Sequence, residues 1–338
     1  MIKIAGAGIS GLSAGIVLAE RGFPVQIFEA RAEVGSFFSK DVHSLRNYLY
    51  DEDILDQYKN FGFSVPPAYP IYNQIRFAPD LKKIRIFSDH KPLFYNFFRG
   101  NIGINSLDKH FYSLALEKKV KFFFGVPAKD NEVDIIATGA PKAMIGGYGR
   151  HYRNVKNLEP HTNYVFWEDD YAPKGYIYIT PYEDEASVAV VSFQPEEIPG
   201  LEKKFNNLIT NHPIVKDLLE GAEPENIISG FAHYSNSIQL RTKGQLRTGE
   251  AGGFLDAATG FGVHYAIISG YLAANIIAEK NAFSLEQEIR SELRRQHAKR
   301  RKIEKMRNND YNDAVSNLQL KFKKGISIEE YRMMHEDE

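Results

Sequence analysis

A chain of 338 residues, 25% charged and 43% hydrophobic, has the composition of an ordinary globular enzyme and is long for one core, so it reads as two interleaved or sequential domains. Its formal net charge of −1 gives no global field to gather nucleic acid. It has no cysteine, which excludes disulfides, thiolate metal sites, cysteine nucleophiles and a redox-active CxxC, so any redox chemistry belongs to a bound cofactor.

Ile2–Ala5 is a short apolar stretch that predicts a strand. Gly6-Ala7-Gly8-Ile9-Ser10-Gly11 follows directly, Leu12–Glu20 predicts a helix, and Val25–Phe28 predicts a second strand that delivers Glu29. In such a unit the first glycine permits a tight turn, the second lets backbone N–H groups approach a pyrophosphate, and the third lets helix and strand pack closely. Phosphate charge sits at the positive end of the helix. Glu29 suits a ribose diol and disfavours a 2′-phosphate there. The competing reading is a tight strand–helix turn with no ligand. Ala30 and the polar turn from Arg31 to Gly35 are placed to fold back over the adenosine half of a dinucleotide.

From Phe37 to Phe98 the chain is rich in aromatics and prolines, with strand-like alternation at Ile75–Phe77 and Lys83–Phe87. These aromatics either wall an apolar tunnel or fill an ordinary core. Ser106 caps a helix running to about Lys118, Val120–Phe124 predicts a strand, and Val133–Gly139 predicts another. Antiparallel strands are expected at Tyr164–Trp167, Gly175–Ile179 and Ala186–Val191, then helices at Leu201–Thr210 and Ile214–Leu219. Gln245–Glu250 predicts a strand, and Gly260-Phe261-Gly262 opens a long helix from Val263 to about Lys280.

The tail from Ser284 is charged and helical, with a basic run from Arg290 to Arg307. It is either a solvated helix or a surface for anionic membrane, where each basic residue contributes about 1 kcal/mol. No recognised nucleic-acid module accompanies it. The apolar stretch Val263–Ala278 is too short and interrupted to span a bilayer comfortably, and no basic leader precedes the N-terminal strand. A cytoplasmic protein follows, with peripheral contact at the inner membrane face as the tail's alternative role. His264, in the first turn of the predicted last long helix, is either a proton donor and charge tuner or a packing residue. His43, His90, His151, His161 and His233 show no metal-ligand spacing, so no metal is expected.

The chain resembles FAD-dependent oxidoreductases of the geranylgeranyl reductase family, within the broader group that includes aromatic hydroxylases. Three segments carry the resemblance: the N-terminal glycine motif with its acid, the Ala137-Thr138-Gly139 strand end, and Gly249-Glu250-Ala251-Gly252-Gly253 followed by Ala258-Thr259-Gly260-Phe261-Gly262. It implies that Gly6, Gly8, Ser10, Gly11, Glu29, Ala30, Arg31 and Gly35 hold the ADP part of FAD, with Ala137, Thr138 and Gly139 closing that domain. Glu250 stands where the family has Asp and would meet a ribityl hydroxyl. Gly260, Gly262 and Val263 bring a positive helix end to the flavin, an effect of about 0.3–1 kcal/mol per charge. Pro173-Lys174-Gly175-Tyr176-Ile177-Tyr178-Ile179-Thr180-Pro181 looks like the family's P-x-x-Y-x-W-x-F-P substrate motif. Strand alternation puts Tyr176, Tyr178 and Thr180 on one face, which in the family lines an isoprenoid cavity; the alternative is that they only cover a sheet. The aromatic hydroxylase Asp-Gly motif is absent after Gly139, where Ala140-Pro141-Lys142 stands.

The fold class expected is α/β, a Rossmann-like three-layer FAD-binding domain interleaved with an α+β substrate domain built on an antiparallel sheet, plus a C-terminal helical tail. The FAD domain is expected from residues 1–65, 99–150 and 240–280, the substrate domain from 66–98 and 151–239, and the tail from 281–338. The activity implied is reduction of carbon–carbon double bonds in an isoprenoid or other apolar or lipid substrate by hydride from reduced flavin, with no catalytic side chain assigned. Electrons come from NAD(P)H or a ferredoxin-like carrier protein. The competing functions are a flavin-dependent monooxygenase and a non-catalytic flavin binder.

Overall fold

A computed structural model describes residues 1–102 and 105–336. The chain opens with β1 (Ile2–Ala5), α1 (Ile9–Glu20) and β2 (Val25–Glu29), the unit expected from the glycine spacing. α1 starts at Ile9 rather than Leu12 because Gly8, in extended backbone, is its N-cap. There follow β3 (Asp41–Arg46), α2 (Ile54–Asn60), β4 (Tyr69–Ile71), β5 (Asn73–Phe77), β6 (Lys83–Phe87) and β7 (Phe94–Arg99). Asp53 caps α2, and Ser106 caps α3 (Leu107–Glu117), each side chain accepting from a backbone N–H of the first turn. Then come β8 (Lys121–Phe124), β9 (Ile135–Ile136), β10 (Ile145–Arg153), β11 (Thr162–Phe166), β12 (Tyr176–Tyr182), β13 (Glu185–Ser192), α4 (Leu201–Asn211), α5 (Pro213–Leu218) and β14 (Glu223–Ala232). β15 (Arg241–Thr242), β16 (Gln245–Arg247), α6 (Val263–Ile277), α7 (Phe283–Ile303), α8 (Asn308–Lys321), β17 (Ile326–Ser327) and α9 (Ile328–Glu336) complete the chain.

One sheet has the order β15-β16-β9-β1-β2-β8. It is parallel apart from the β15–β16 hairpin. Its Rossmann-like order reverses beside β1, with β2 on one side and β9 on the other. In open α/β sheets that crevice, beyond the carboxyl ends of the strands, is where ligands bind. A second sheet, β14-β10-β13-β12-β11-β5-β6-β17, is antiparallel except for the β11–β5 and β6–β17 pairs. β3-β7-β4 forms a third, antiparallel sheet. Ile177, Ile179 and Val188 of the second sheet bury one face against Phe205 and Leu208 of α4. The opposite face is left to the cavity described below. Among the described residues no helix is long and apolar enough to cross a membrane.

Three local expectations change. The strand expected over Val133–Gly139 pairs only through Ile135 and Ile136; Gly139 adopts φ +81° and the chain leaves the sheet. The strand expected over Gln245–Glu250 stops at Arg247, and Gly249–Gly252 coils into a 3₁₀ turn. The tail is helical but also adds β17 to the edge of the second sheet beside β6. β10 was silent in the sequence because Gly146, Gly147 and Gly149 dilute its strand pattern. A Cβ at Gly149 would lie 2.0 Å from the Val188 carbonyl oxygen, so the close strand approach requires the residue that hides it.

α1 and α6 lie side by side on one face of the parallel sheet and share a core of Leu12, Ile16, Ile267 and Leu272. At Gly270 a Cβ would lie 2.4 Å from the Ser10 carbonyl oxygen and 3.0 Å from the Ala14 nitrogen. Backbone cannot yield as a flexible side chain does, so Gly270→Ala must push the helices apart. A loss of about 1–3 kcal/mol is expected from such overpacking, measured by denaturant unfolding; an unchanged midpoint would show that the contact is loose.

Candidate active site

The carboxyl ends of β1 and β9, the start of α6 and the open face of the second sheet enclose one cavity of about 950 Å³, at the upper end of the range for ligand sites. Of the residues singled out in the sequence, Gly6, Gly8, Ser10, Glu29, Ala30, Arg31, Gly35, Ala137, Thr138 and Gly139 line it at the nucleotide-fold end. Glu250, Gly260, Gly262 and Val263 line its middle, with Tyr176, Tyr178 and Thr180 facing them. Gly11 lies behind the wall: a Cβ there would sit 2.0 Å from the Gly6 carbonyl oxygen.

The first end is built from a strand, a turn and a helix start. Gly6 holds φ +101°, and a Cβ on it would lie 2.3 Å from the Ala137 carbonyl oxygen. Gly8 has nothing within 4 Å of its Cβ position, so its backbone faces open space. α1 starts without a capping side chain and without an acid in its first turn, which leaves N–H donors and the positive helix end available. The Ser10 hydroxyl is buried with no partner. Glu29 Oε2 accepts from Ala7 N at 2.8 Å and Oε1 from Arg31 N at 2.9 Å. That fixes the carboxylate at the strand end with further acceptor positions to spare.

α6 repeats this arrangement from the other side, beginning at Gly262 with no capping side chain and no acid in its first turn. The turn before it is set by Asp256, which the sequence reading missed. Its fully buried carboxylate accepts from Ala258 N at 2.7 Å, Thr259 N at 3.1 Å and Thr259 Oγ1 at 2.7 Å, and pairs with Arg46 Nη2 at 2.6 Å. An aspartate three residues before a threonine is the available sequence signal, a side-chain-closed turn. Gly260 sits at φ +75° in that turn. The Thr248 hydroxyl, also in the cavity wall, is buried without a partner.

His264 leaves the cavity wall. It packs among Tyr50, Tyr58 and Tyr265, its Nδ1 2.9 Å from the Tyr58 hydroxyl. Burial, reinforced by the Arg46 charge, pushes its pKa down to about 3. The proton-donor and charge-tuner expectation therefore gives way to packing. Of the aromatic run, Phe37, Phe38 and Phe94 reach the cavity, while Phe97 is core. Tyr176 donates to the Thr259 carbonyl at 2.5 Å, tying the second sheet to the α6 turn. Burial pushes the phenols of Tyr176 and Tyr178 upward, so both stay protonated.

Two groups in the wall were not foreseen. His43 Nε2 lies 2.9 Å from Asp41 Oδ2, and both side chains line the cavity. Burial raises the Asp41 pKa, but the His43 partner outweighs it and holds the carboxyl below its usual range. The tail supplies the other: Gln296, Arg300, Met306, Tyr311 and Leu318 also line the cavity. Arg294, Arg295, Arg301, Lys302 and Lys305 are exposed, as either expectation for the tail requires, whereas Arg300 is buried. Among the described residues one group, His151, Glu185 and Glu225, offers metal-ligand atoms within 4.8 Å. Lys40 Nζ already stands 2.5 Å from Glu185 Oε2 and 3.5 Å from Glu225 Oε2, where its ammonium supplies the positive charge.

Residues 4–52 match the family model described as NAD(P)-binding Rossmann-like domain. No curated protein sequence matches the chain. In structure the chain is similar to a geranylgeranyl bacteriochlorophyll reductase-like protein from Thermoplasma acidophilum, with TM-score 0.71 and 19% identity over 93% of this chain and 90% of that one. It is similar to a flavoprotein/dehydrogenase from Cytophaga hutchinsonii, with TM-score 0.57 and 18% identity over 83% and 79%. It is also similar to the myxobacterial chondrochloren halogenase CndH, described as FAD-dependent, with TM-score 0.60 and 16% identity over 93% and 81%. The fold is thus one shared by proteins described as reductase-like, flavoprotein/dehydrogenase and halogenase.

Glu250 gives the site a pH signature. Its Oε2 accepts from His233 N at 2.7 Å, yet burial pushes the carboxyl up from 4.5 to about 7. Between those values the folded chain binds more protons than the unfolded chain, so this group's contribution to stability falls as pH rises and stays low above about 7. In the ligand-free protein, Glu250→Gln is expected to melt above wild type at about pH 8 and to match it below 4.5. Parallel melting curves at every pH would refute that account.

Proposed function

We propose that this chain is an FAD-dependent oxidoreductase whose reaction is reduction of carbon–carbon double bonds in an isoprenoid or other apolar substrate. The observation that carries the reading is one continuous cavity bounded by both glycine-bearing turns and by the tyrosine face of β12. The residues present fit FAD. Gly8 and the start of α1 offer bare N–H donors to a pyrophosphate, Glu29 offers acceptors to a ribose diol, and the unpartnered hydroxyls of Ser10 and Thr248 await polar ligand atoms. Glu250 is within the same wall, where it can accept from a ribityl hydroxyl. FAD supplies the two-electron chemistry that a cysteine-free chain lacks.

The chain's own residues set the surroundings. The uncapped start of α6 favours negative charge by about 0.3–1 kcal/mol per charge. Arg46 is committed to Asp256 and His264 is held neutral, so neither competes with the helix end for that charge. Tyr176, Tyr178, Phe94 and Trp167 give an elongated apolar wall, which excludes water from the substrate. His43, oriented by Asp41, is the wall residue suited to hold a proton beside that substrate. With one strand–glycine–helix unit among the described residues, reducing equivalents come from transiently docked NAD(P)H or from a ferredoxin-like carrier. The exposed basic residues of the tail suit peripheral contact with an anionic membrane.

Purified protein is expected to carry flavin absorption that denaturation releases. After anaerobic photoreduction, an unsaturated apolar substrate should reoxidise the flavin without oxygen. Reoxidation that needs oxygen would replace reductase with oxygenase, and a colourless protein that refuses FAD would end the reading.

The glycines allow a sharper check. Gly11→Ala forces a Cβ against backbone and should lower the melting temperature, whereas Gly8→Ala adds a methyl to open space. Gly8→Ala is expected to keep ligand-free stability within about 0.5 kcal/mol while bound flavin falls at least about tenfold. Full flavin occupancy in Gly8→Ala would move the pyrophosphate elsewhere.

A further inference from the structure

Five arginines line the cavity, and three are largely withdrawn from water. Arg46 faces Asp256 at 2.6 Å. Arg99 makes two bonds to Asp108, at 2.7 and 3.0 Å. Each of these cations is neutralised by a buried aspartate, and each guanidinium pKa is raised although burial opposes it. Arg300 is different. It is only 2% exposed, and its Nε and Nη1 have no hydrogen-bond partner. Nη2 donates to the Lys174 carbonyl at 2.8 Å, and the guanidinium lies 4.4 Å from the centre of the Phe193 ring. Its carboxylate neighbour, Glu304, stands 3.6 Å from Nε and is 45% exposed, too far to bond and screened by water. A buried cation without a bonded anion is costly, and burial accordingly lowers the Arg300 pKa.

A second orphan lies at the same end. The Tyr311 hydroxyl is buried, has no partner and belongs to a residue of the cavity wall. Lys174, the neighbouring ammonium, is already taken by Asp169 at 2.7 Å and the Met306 carbonyl at 2.6 Å. The unmet demand is therefore for an acceptor with negative charge, planar or tetrahedral, able to take two guanidinium N–H groups and a phenol.

We propose that Arg300 and Tyr311 form an oxyanion subsite at the tail end of the cavity, which holds the phosphate or carboxylate head of an amphiphilic substrate whose apolar chain lies along the tyrosine wall. This rests on the reading of that wall as the substrate site. The tail helices then do more than close the fold: they anchor one end of the substrate, with the Phe193 ring between Arg300 and the Gly260 turn.

Trp167 reports on the site. It is the only tryptophan, lines the cavity and stacks on Tyr311 with ring centres 5.9 Å apart. Its fluorescence in FAD-loaded protein gives binding curves for decyl phosphate, decanoate, decanol and inorganic phosphate without turnover. Wild type is expected to bind decyl phosphate at least about tenfold more tightly than decanol. Arg300→Met should erase that preference and leave decanol affinity and flavin absorption unchanged. Tyr311→Phe, which removes only an unpartnered hydroxyl, should weaken decyl phosphate by about threefold and spare decanol.

Equal affinity of wild type for decyl phosphate and decanol overturns the subsite, as does an equal loss of both ligands in Arg300→Met. Inorganic phosphate competing as strongly as decyl phosphate assigns the site to a free anion and also overturns it. The expected preference in a protein that reduces no substrate keeps the subsite and removes the reductase reading. Failure of both decyl ligands to bind removes the substrate wall itself.

Discussion

The close approach of α1 to α6 is the contact on which the site depends. Each helix begins without a capping side chain, and each therefore presents bare N–H groups and a positive end. Alone, either start would be an ordinary polar turn. Packed where Gly270 meets the backbone of Ser10 and Ala14, they are held at fixed spacing over the crevice between β1 and β9. Any larger residue at that contact separates two donors that one extended ligand has to reach together. The packing is apolar and small, while its consequence is electrostatic.

Two buried ion pairs then fix the walls. Arg46 with Asp256 ties β3 to the turn before α6, and Arg99 with Asp108 ties the end of β7 to the start of α3. Burying such pairs is expensive, and apolar replacements are often neutral or better for stability. Their value here is positional. Asp256 accepts two backbone N–H groups and a threonine hydroxyl besides its arginine, so the Gly260 turn has its shape dictated at four points. The same pairing keeps Arg46 and Arg99 from competing with the helix ends for a ligand.

What could be read from the sequence was local. Gly6, Gly8, Gly11 and Glu29 were legible because each residue type has one job at its place in a strand–turn–helix unit. β12 was legible because alternation at Tyr176, Tyr178 and Thr180 survives whatever lies across the sheet. Alternation over Gln245–Arg247 predicts a strand through Glu250, yet positive φ at Gly249 lets the chain coil as soon as β16 ends. β10 was hidden by its own glycines. Asp256 was hidden in a run of small residues, where a buried acid looks like a turn residue until its arginine, distant in sequence, is placed beside it.

The tail shows where composition misleads. α7 buries Ile289, Glu292, Leu293, Gln296 and Arg300, a helical stripe in which Glu292 is met by the Tyr265 hydroxyl and the last two members are polar and line the cavity. A count of apolar residues ends that stripe at Leu293 and calls the rest solvated. The periodicity continues, because the surface that Gln296 and Arg300 meet is the inside of a cavity rather than a packed core. A polar residue in register with a buried stripe is thus a signal that the helix faces polar partners there: the tyrosine hydroxyls at Glu292, and at Gln296 and Arg300 a space that a polar ligand group can share. β17 makes the same point at the chain's end, where Ile326 and Ser327 add to a sheet edge and lock α8 and α9 over that space.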